Sequence, residues 1–118
     1  MTGDNEPRAL LEAEQQAVIE RLAALERDFN GIVEAAGRAN ADDEHDPEGA
    51  TIAFERQHIA ALLSQARDQL SQVEEAIARL NADRYGECEK CGRPIGAGRL
   101  AARPTATTCI HCAGRSAR

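Results

Sequence analysis

The sequence predicts a mainly α protein, a long antiparallel helical hairpin paired as a coiled coil and followed by a small four-cysteine zinc finger. Three observations carry this expectation. Apolar residues recur at heptad spacing in two separate stretches. Only three of the 118 residues are aromatic, Phe29, Phe54 and Tyr85, too few to supply the large buried rings on which a compact globule of this size relies. All four cysteines fall in one C-x2-C-x17-C-x2-C pattern near the C-terminus.

Residues 1–7 read as an N-terminal tail, because Pro7 is tolerated only at a helix start. Residues 8–82 read as the hairpin. In its first arm Leu11, Val18, Leu25, Ile32 and Ala39 repeat every seven residues, with Leu22, Phe29 and Ala36 at the complementary positions. Gln15 is the one polar member of this seam, and Glu12, Glu14, Glu20, Arg21, Glu26 and Arg27 fall outside it. The second arm repeats Ile52, Ile59, Ala66, Val73 and Leu80, interleaved with Leu63, Leu70 and Ile77, with Arg56 at the one polar site.

The segment between the arms is too short to do more than reverse the chain, so the turn is expected at about residues 40–47. That pairing places Leu11 and Val18 near Val73, Ile77 and Leu80, and Ile32 and Ala36 near Ile52 and Ile59. Each arm, at ~1.5 Å per residue, is about 50 Å long. Asn30-Gly31 is a turn signal that would split the first helix, but the heptad phase passes through it without a reset. Gly31 and Gly37 should each cost about 1 kcal/mol relative to Ala, making the half nearest the loop the looser one. Asp46-Pro47 suits the cap and first turn of the second helix.

Residues 83–118 read as the finger domain. Cys88, Cys91, Cys109 and Cys112 have the spacing at which two C-x-x-C turns each present two sulfurs to one Zn2+ and together close a tetrahedron. Two disulfides are the alternative, disfavoured in a reducing cytosol. A redox dithiol ordinarily uses one C-x-x-C at a helix start, not a matched pair. Between Cys88 and Cys112 the only large aliphatics are Ile95, Leu100 and Ile110, so one structural zinc must order the segment. Four thiolates leave no open position for water or substrate. His111 reads as a solvent-facing spacer between two ligands. No phosphate loop, nucleophile elbow or H-E-x-x-H motif is present, so no catalytic residue is assigned and the chain is not expected to be an enzyme.

Charge changes sign along the chain. Residues 1–81 hold 7 basic and 17 acidic side chains and residues 82–118 hold 7 basic and 3 acidic, for a net charge of −6 overall. This balance argues against wholesale wrapping of nucleic acid, whose affinity comes mainly from Lys and Arg. No stretch approaches the ~18 apolar residues of a membrane span, and the acidic N-terminus lacks the marks of a signal peptide. A cytoplasmic monomer without membrane attachment is expected.

The run Tyr85-Gly86-x-Cys88-x-x-Cys91-Gly92-x-Pro94-Ile95, followed by Arg99-Leu100-x-Ala102-Arg103-Pro104-x-Ala106-x-x-Cys109-x-x-Cys112, resembles the DksA/TraR family of bacterial zinc-finger transcription regulators. The match is dense over these residues and architectural over residues 8–82. The resemblance implies a factor that binds RNA polymerase without sequence-specific DNA binding, its hairpin entering the secondary channel and its acidic tip approaching the catalytic magnesium. The tip, residues 40–49, carries Asp42, Asp43, Glu44, Asp46 and Glu48, of which Asp43, Asp46 and Glu48 are the candidate regulatory residues. Arg93, Arg99 and Arg103 are candidates for docking.

Two departures from the family pattern stand out. Where active regulators show Asp-x-x-Asp-x-Ala, this chain reads Asp46-Pro47-Glu48-Gly49-Ala50-Thr51, and the shifted register Asp43-x-x-Asp46 puts Glu48 in place of the Ala. Ala113 stands where a Lys often serves the guanosine tetraphosphate site, so that site is not carried over. Two other functions fit the residues. One is a nucleic-acid binder using Lys90, Arg93, Arg99, Arg103, Arg115 and Arg118, although zinc and four thiolates would lower the finger from +4 to about +2. The other is a coiled-coil adaptor with no polymerase role.

Overall fold

The computed structural model describes the backbone of residues 5–42 and 47–116 and the side chains of residues 6–37 and 50–114. Two long helices dominate it, α1 (Asn5–Asp42) and α2 (Pro47–Asn81), followed by two short ones, α3 (Ala97–Ala102) and α4 (Ile110–Ser116). Among the described residues there is no strand; one isolated antiparallel bridge joins Glu87 to Pro94. Helix α1 begins at Asn5, three residues ahead of the expected start, with Pro7 in its first turn, where a missing N–H costs no intrahelical bond.

The two long helices pack as an antiparallel hairpin, and partners descend α2 as they climb α1. Arg8 donates to the Asn81 side-chain oxygen at 2.9 Å, Leu11 packs with Ala76, Ile77 and Leu80, Arg21 donates to the Gln69 side chain, and Ile32 shares a groove with Ile52 and Ile59. Helix α1 runs without interruption through Asn30-Gly31. The heptad phase therefore outranks the local turn signal: exposed Gly31 costs helix propensity, but leaving the helix there would discard the apolar seam beyond it. Helix α1 ends at Asp42 and α2 begins at Pro47, and residues 43–46, within the segment where the turn is expected, lie outside the described residues. Asp43 and Asp46 lie outside the described residues, as does the side chain of Glu48.

The seam is unevenly filled. Leu11, Val18, Leu22, Leu63, Ala66, Val73, Ala76 and Leu80 are buried, whereas Leu25, Phe29, Ile32, Ala36, Ile52 and Ile59 are only half-buried. The loop-proximal half is the looser one, and the cause is visible. An open groove of about 530 Å³ lies between the helices there, lined by Gly31, Ile32, Ala35, Ile52, Phe54 and Ile59 among others. A side chain added at Gly31 would meet nothing within 4 Å.

The chain divides into two compact units. One comprises Ala17–Gln69, the loop-proximal stretch of both long helices. The other comprises the residues up to Gln16 together with those from Leu70 onward, so the opposite ends of α1 and α2 belong with the cysteine-rich segment.

Helix α2 ends in a two-bond C-terminal motif. The Asp83 N–H donates to the Leu80 carbonyl at 3.2 Å and the Arg84 N–H to the Arg79 carbonyl at 2.8 Å, the Schellman pattern that satisfies the last carbonyls. Asp83 takes the left-handed conformation this requires, at φ 59°.

Candidate metal centre

The first C-x-x-C turn is shaped by backbone bonds and two glycines. The Cys88 N–H donates to the Arg93 carbonyl at 2.8 Å, Gly92 N–H returns to the Cys88 carbonyl at 2.9 Å, and Ile95 N–H reaches the Gly86 carbonyl at 2.8 Å. Gly92 closes the turn at φ 76°, a conformation that a side chain would oppose. Gly86 has φ 87°, a conformation that a side chain would likewise oppose, and a Cβ there would touch the Leu100 side chain at 3.4 Å. The second turn opens α4. Cys109 directly precedes that helix, Cys112 lies in its first turn, and Ala113 N–H donates to the Cys109 carbonyl at 2.9 Å.

Two bonds between Glu89 and Thr107 hold the two turns face to face, and a third ties α3 to the second turn. Glu89 N–H donates to the Thr107 carbonyl at 2.8 Å, the Thr107 hydroxyl donates to the Glu89 carboxylate at 3.3 Å, and Arg99 Nε donates to the Thr108 carbonyl at 2.9 Å. Cys88, Ile95 and Cys109 form the small buried interior, with Leu100, Ala106 and Cys112 packed against it.

The four sulfurs of Cys88, Cys91, Cys109 and Cys112 all lie within 4.8 Å of one another. No pair is bonded as a disulfide. Cys91 and Cys109 are 3.7 Å apart at sulfur, close to the ~3.8 Å edge of a tetrahedron built on the ~2.3 Å Zn–S bond. The donor set and its spacing therefore fit one zinc held by four thiolates. Bound there, zinc supplies a cross-link between the two turns, and the four sulfurs fill its coordination sphere.

The electrostatics of the thiols suit a divalent cation. Burial pushes the Cys88 thiol up, but backbone N–H groups of Cys109, Cys91 and Lys90 and the Cys91 side chain outweigh it and bring Cys88 down to about 6. The Cys112 N–H likewise holds Cys109 below its ordinary value, against burial. Cys112 is pushed up to about 12, chiefly by the Cys109 and Cys88 sulfurs and then by burial. Hydrogen bonding to the neighbouring sulfurs thus keeps a proton on Cys112, and a cation bound among the four sulfurs displaces it.

The other sequence-derived candidates are distributed differently. His111 is exposed and takes no part in the sulfur cluster. Arg93 and Arg103 present exposed side chains on the finger, whereas Arg99 is half-buried and engages Thr108. Two residues to which the sequence assigned no role at the site stand beside it. The Arg79 guanidinium donates to the Arg84 carbonyl at 3.2 Å and to the Glu87 carbonyl. The Tyr85 ring packs on the Leu11, Ala76 and Leu80 cluster while its hydroxyl donates to the Pro104 carbonyl at 2.8 Å, and burial raises its pKa. A basic residue in the last turn of α2 was the available signal for the first.

Comparison with known proteins agrees with this geometry. Residues 83–118 match the prokaryotic DksA/TraR C4-type zinc finger family. A Haemophilus influenzae protein named RNA polymerase-binding transcription factor DksA is 36% identical over 88 residues, which are 69% of this chain and 61% of that one. A Caulobacter vibrioides protein of the same name is 42% identical over 52 residues, 44% of this chain and 37% of that one. The chain thus spans about three fifths of the first relative and under two fifths of the second. The solved structure of transcription factor DksA2 from Pseudomonas aeruginosa superposes with a TM-score of 0.77 at 28% identity, covering 96% of this chain and 81% of that one. With its helical hairpin and its four clustered cysteines, the chain belongs to the DksA/TraR zinc-finger family.

Proposed function

We propose that this protein is a bacterial transcription regulator that binds RNA polymerase through the secondary channel, with the hairpin tip acting near the catalytic centre. The observation that carries the reading is the pairing of one four-cysteine finger with two uninterrupted helices of 38 and 35 residues, in a chain whose relatives are named for polymerase binding. Two α-helices packed side by side are only about 20 Å across, so a paired helical segment reaches where a globular domain does not fit.

In this reading residues 8–82 are the probe and residues 83–118 the docking domain, with Arg93 and Arg103 offering exposed cations. Arg99 serves mainly to brace the second turn of the finger. Asp43, Asp46 and Glu48 supply the regulatory charge at the tip, where water exclusion strengthens Coulomb interactions with a metal ion or a basic loop. The factor acts as a cytoplasmic monomer without catalysis of its own and without reading DNA sequence. No helix among the described residues is long and apolar enough to cross a membrane.

The test uses purified core RNA polymerase. The parent protein should bind it and alter initiation, and the variant carrying Asp43→Asn and Asp46→Asn should bind with similar affinity but lose the effect. Asn still caps a helix, so stability should change little. Absence of binding by the parent, or unchanged transcription with the double variant, would refute the proposal.

A further inference from the structure

Arg79 and Tyr85 reach the two halves of the sulfur site from the end of α2. Arg79 holds the Arg84 and Glu87 carbonyls, and Glu87 immediately precedes Cys88. Tyr85 holds the Pro104 carbonyl, on the segment that leads into Cys109. Both also belong to the hairpin: Arg79 lies in the last turn of α2 and the Tyr85 ring covers Leu11, Ala76 and Leu80. All of these residues lie within one compact unit.

We propose that Arg79 and Tyr85 are positioning residues of the metal site, through which zinc binding by the four cysteines and ordering of the hairpin base, residues 6–16 and 70–82, become a single event. The finger's buried interior consists of Cys88, Ile95 and Cys109, too little apolar surface to order its loops without the metal. Once the finger is ordered, the carbonyls of Arg84 and Glu87 stand where one terminal nitrogen of Arg79, Nη2, donates to both. The Tyr85 ring is then fixed over the seam by its hydroxyl. When the finger is lost, Leu11, Ala76 and Leu80 lose that cover and the C-terminal motif at Asp83 and Arg84 loses its brace. Linkage makes the effect reciprocal, so an ordered base raises the affinity for zinc.

The experiment compares the full-length parent with Tyr85→Phe, Arg79→Met and Arg79→Lys. Zinc affinity is read by competition with a chromogenic chelator, and amide hydrogen exchange is followed with and without chelation. In the parent, zinc removal should speed exchange at residues 73–82 and 8–16 as well as within the finger. Tyr85→Phe keeps the ring and removes one hydrogen bond, which should weaken zinc binding about fivefold. Arg79→Met should weaken it about tenfold. Arg79→Lys should fall between the parent and Arg79→Met, because its ammonium keeps the charge and the N–H donors on a shorter side chain that reaches the two carbonyls less well. Metal-free variants should unfold at the parent's temperature, since a merely structural role would lower the metal-free and zinc-bound forms alike. Parental zinc affinity in both Tyr85→Phe and Arg79→Met, equal losses with and without metal, or exchange at residues 73–82 that ignores chelation would overturn the proposal.

Discussion

Truncating adjacent leucines of α1 tests the seam directly. Leu11 is fully buried against Ala76, Leu80, Ile77 and Tyr85, whereas Leu10 is 47% exposed. Leu11→Ala removes three carbons from a closed environment, forfeiting ~2.4 kcal/mol of transfer free energy at ~0.8 per methylene. The cavity left behind adds about 1 kcal/mol, and the better helix propensity of Ala returns a few tenths. The expected cost is thus about 3 kcal/mol, or ~10 °C of melting temperature for a chain of this length. Leu10→Ala loses roughly half the transfer term and opens no cavity, so about 1 kcal/mol or less is expected. Circular dichroism melts of the zinc-loaded proteins measure both. Leu80→Ala, combined with Leu11→Ala, should then cost less than the two singles added, by at least ~0.5 kcal/mol, because the side chains touch. Equal costs at positions 10 and 11, or strict additivity between 11 and 80, would refute the pairing.

Acidification should release the metal. In the folded finger the Cys88 thiol is brought down to about 6 from its ordinary 9, so its thiolate is available to the metal at neutral pH and is lost as pH falls through about 6. Cys112 at about 12 keeps its proton at neutral pH and must surrender it to bind zinc; affinity measured by chelator competition should therefore rise with pH and fall most steeply below about 6, and a flat profile would contradict the proton count. On the hairpin, Gly31→Ala should stabilise by about 0.5–1 kcal/mol and raise the melting temperature by ~3 °C, since a Cβ there meets nothing within 4 Å in an exposed stretch of helix.

The heptads made the long helices and the buried residues of their seam nearest the finger legible, because a repeating apolar stripe has to be covered, and the short segment between the arms made their direction legible. Cysteine spacing did the same for the metal centre, because two C-x-x-C turns leave four sulfurs little else to do together. What escaped was of another kind. Ala76 is buried beside Leu11 and Leu80 although it lies off the a and d positions, since a small residue next to the seam is covered by its neighbours without advertising itself. Asp83 takes a left-handed conformation that sequence rules assign first to Gly. The Tyr85 hydroxyl and the Arg79 guanidinium find backbone carbonyls, and a carbonyl partner leaves no trace in residue identity.

Composition and compactness draw different boundaries in this chain. Charge and heptads change near Asn81, and the cysteine pattern begins just beyond it, so a reading by residue type divides the chain there. Burial obeys contact instead. Leu11 and Leu80 need a cover at the open end of their seam, and the nearest large ring in the chain is Tyr85, already past the compositional break. The finger, for its part, has an interior of three buried residues and needs a rigid base on which to hold its carbonyls. Each deficit is met by the other's surplus: the ring closes the seam, and the last turn of α2 offers the guanidinium that fixes the approach to Cys88. The compact unit accordingly includes both helix ends with the finger, and a truncation at residue 82 would expose Leu11 and Leu80 on one side while depriving the zinc site of Arg79 on the other.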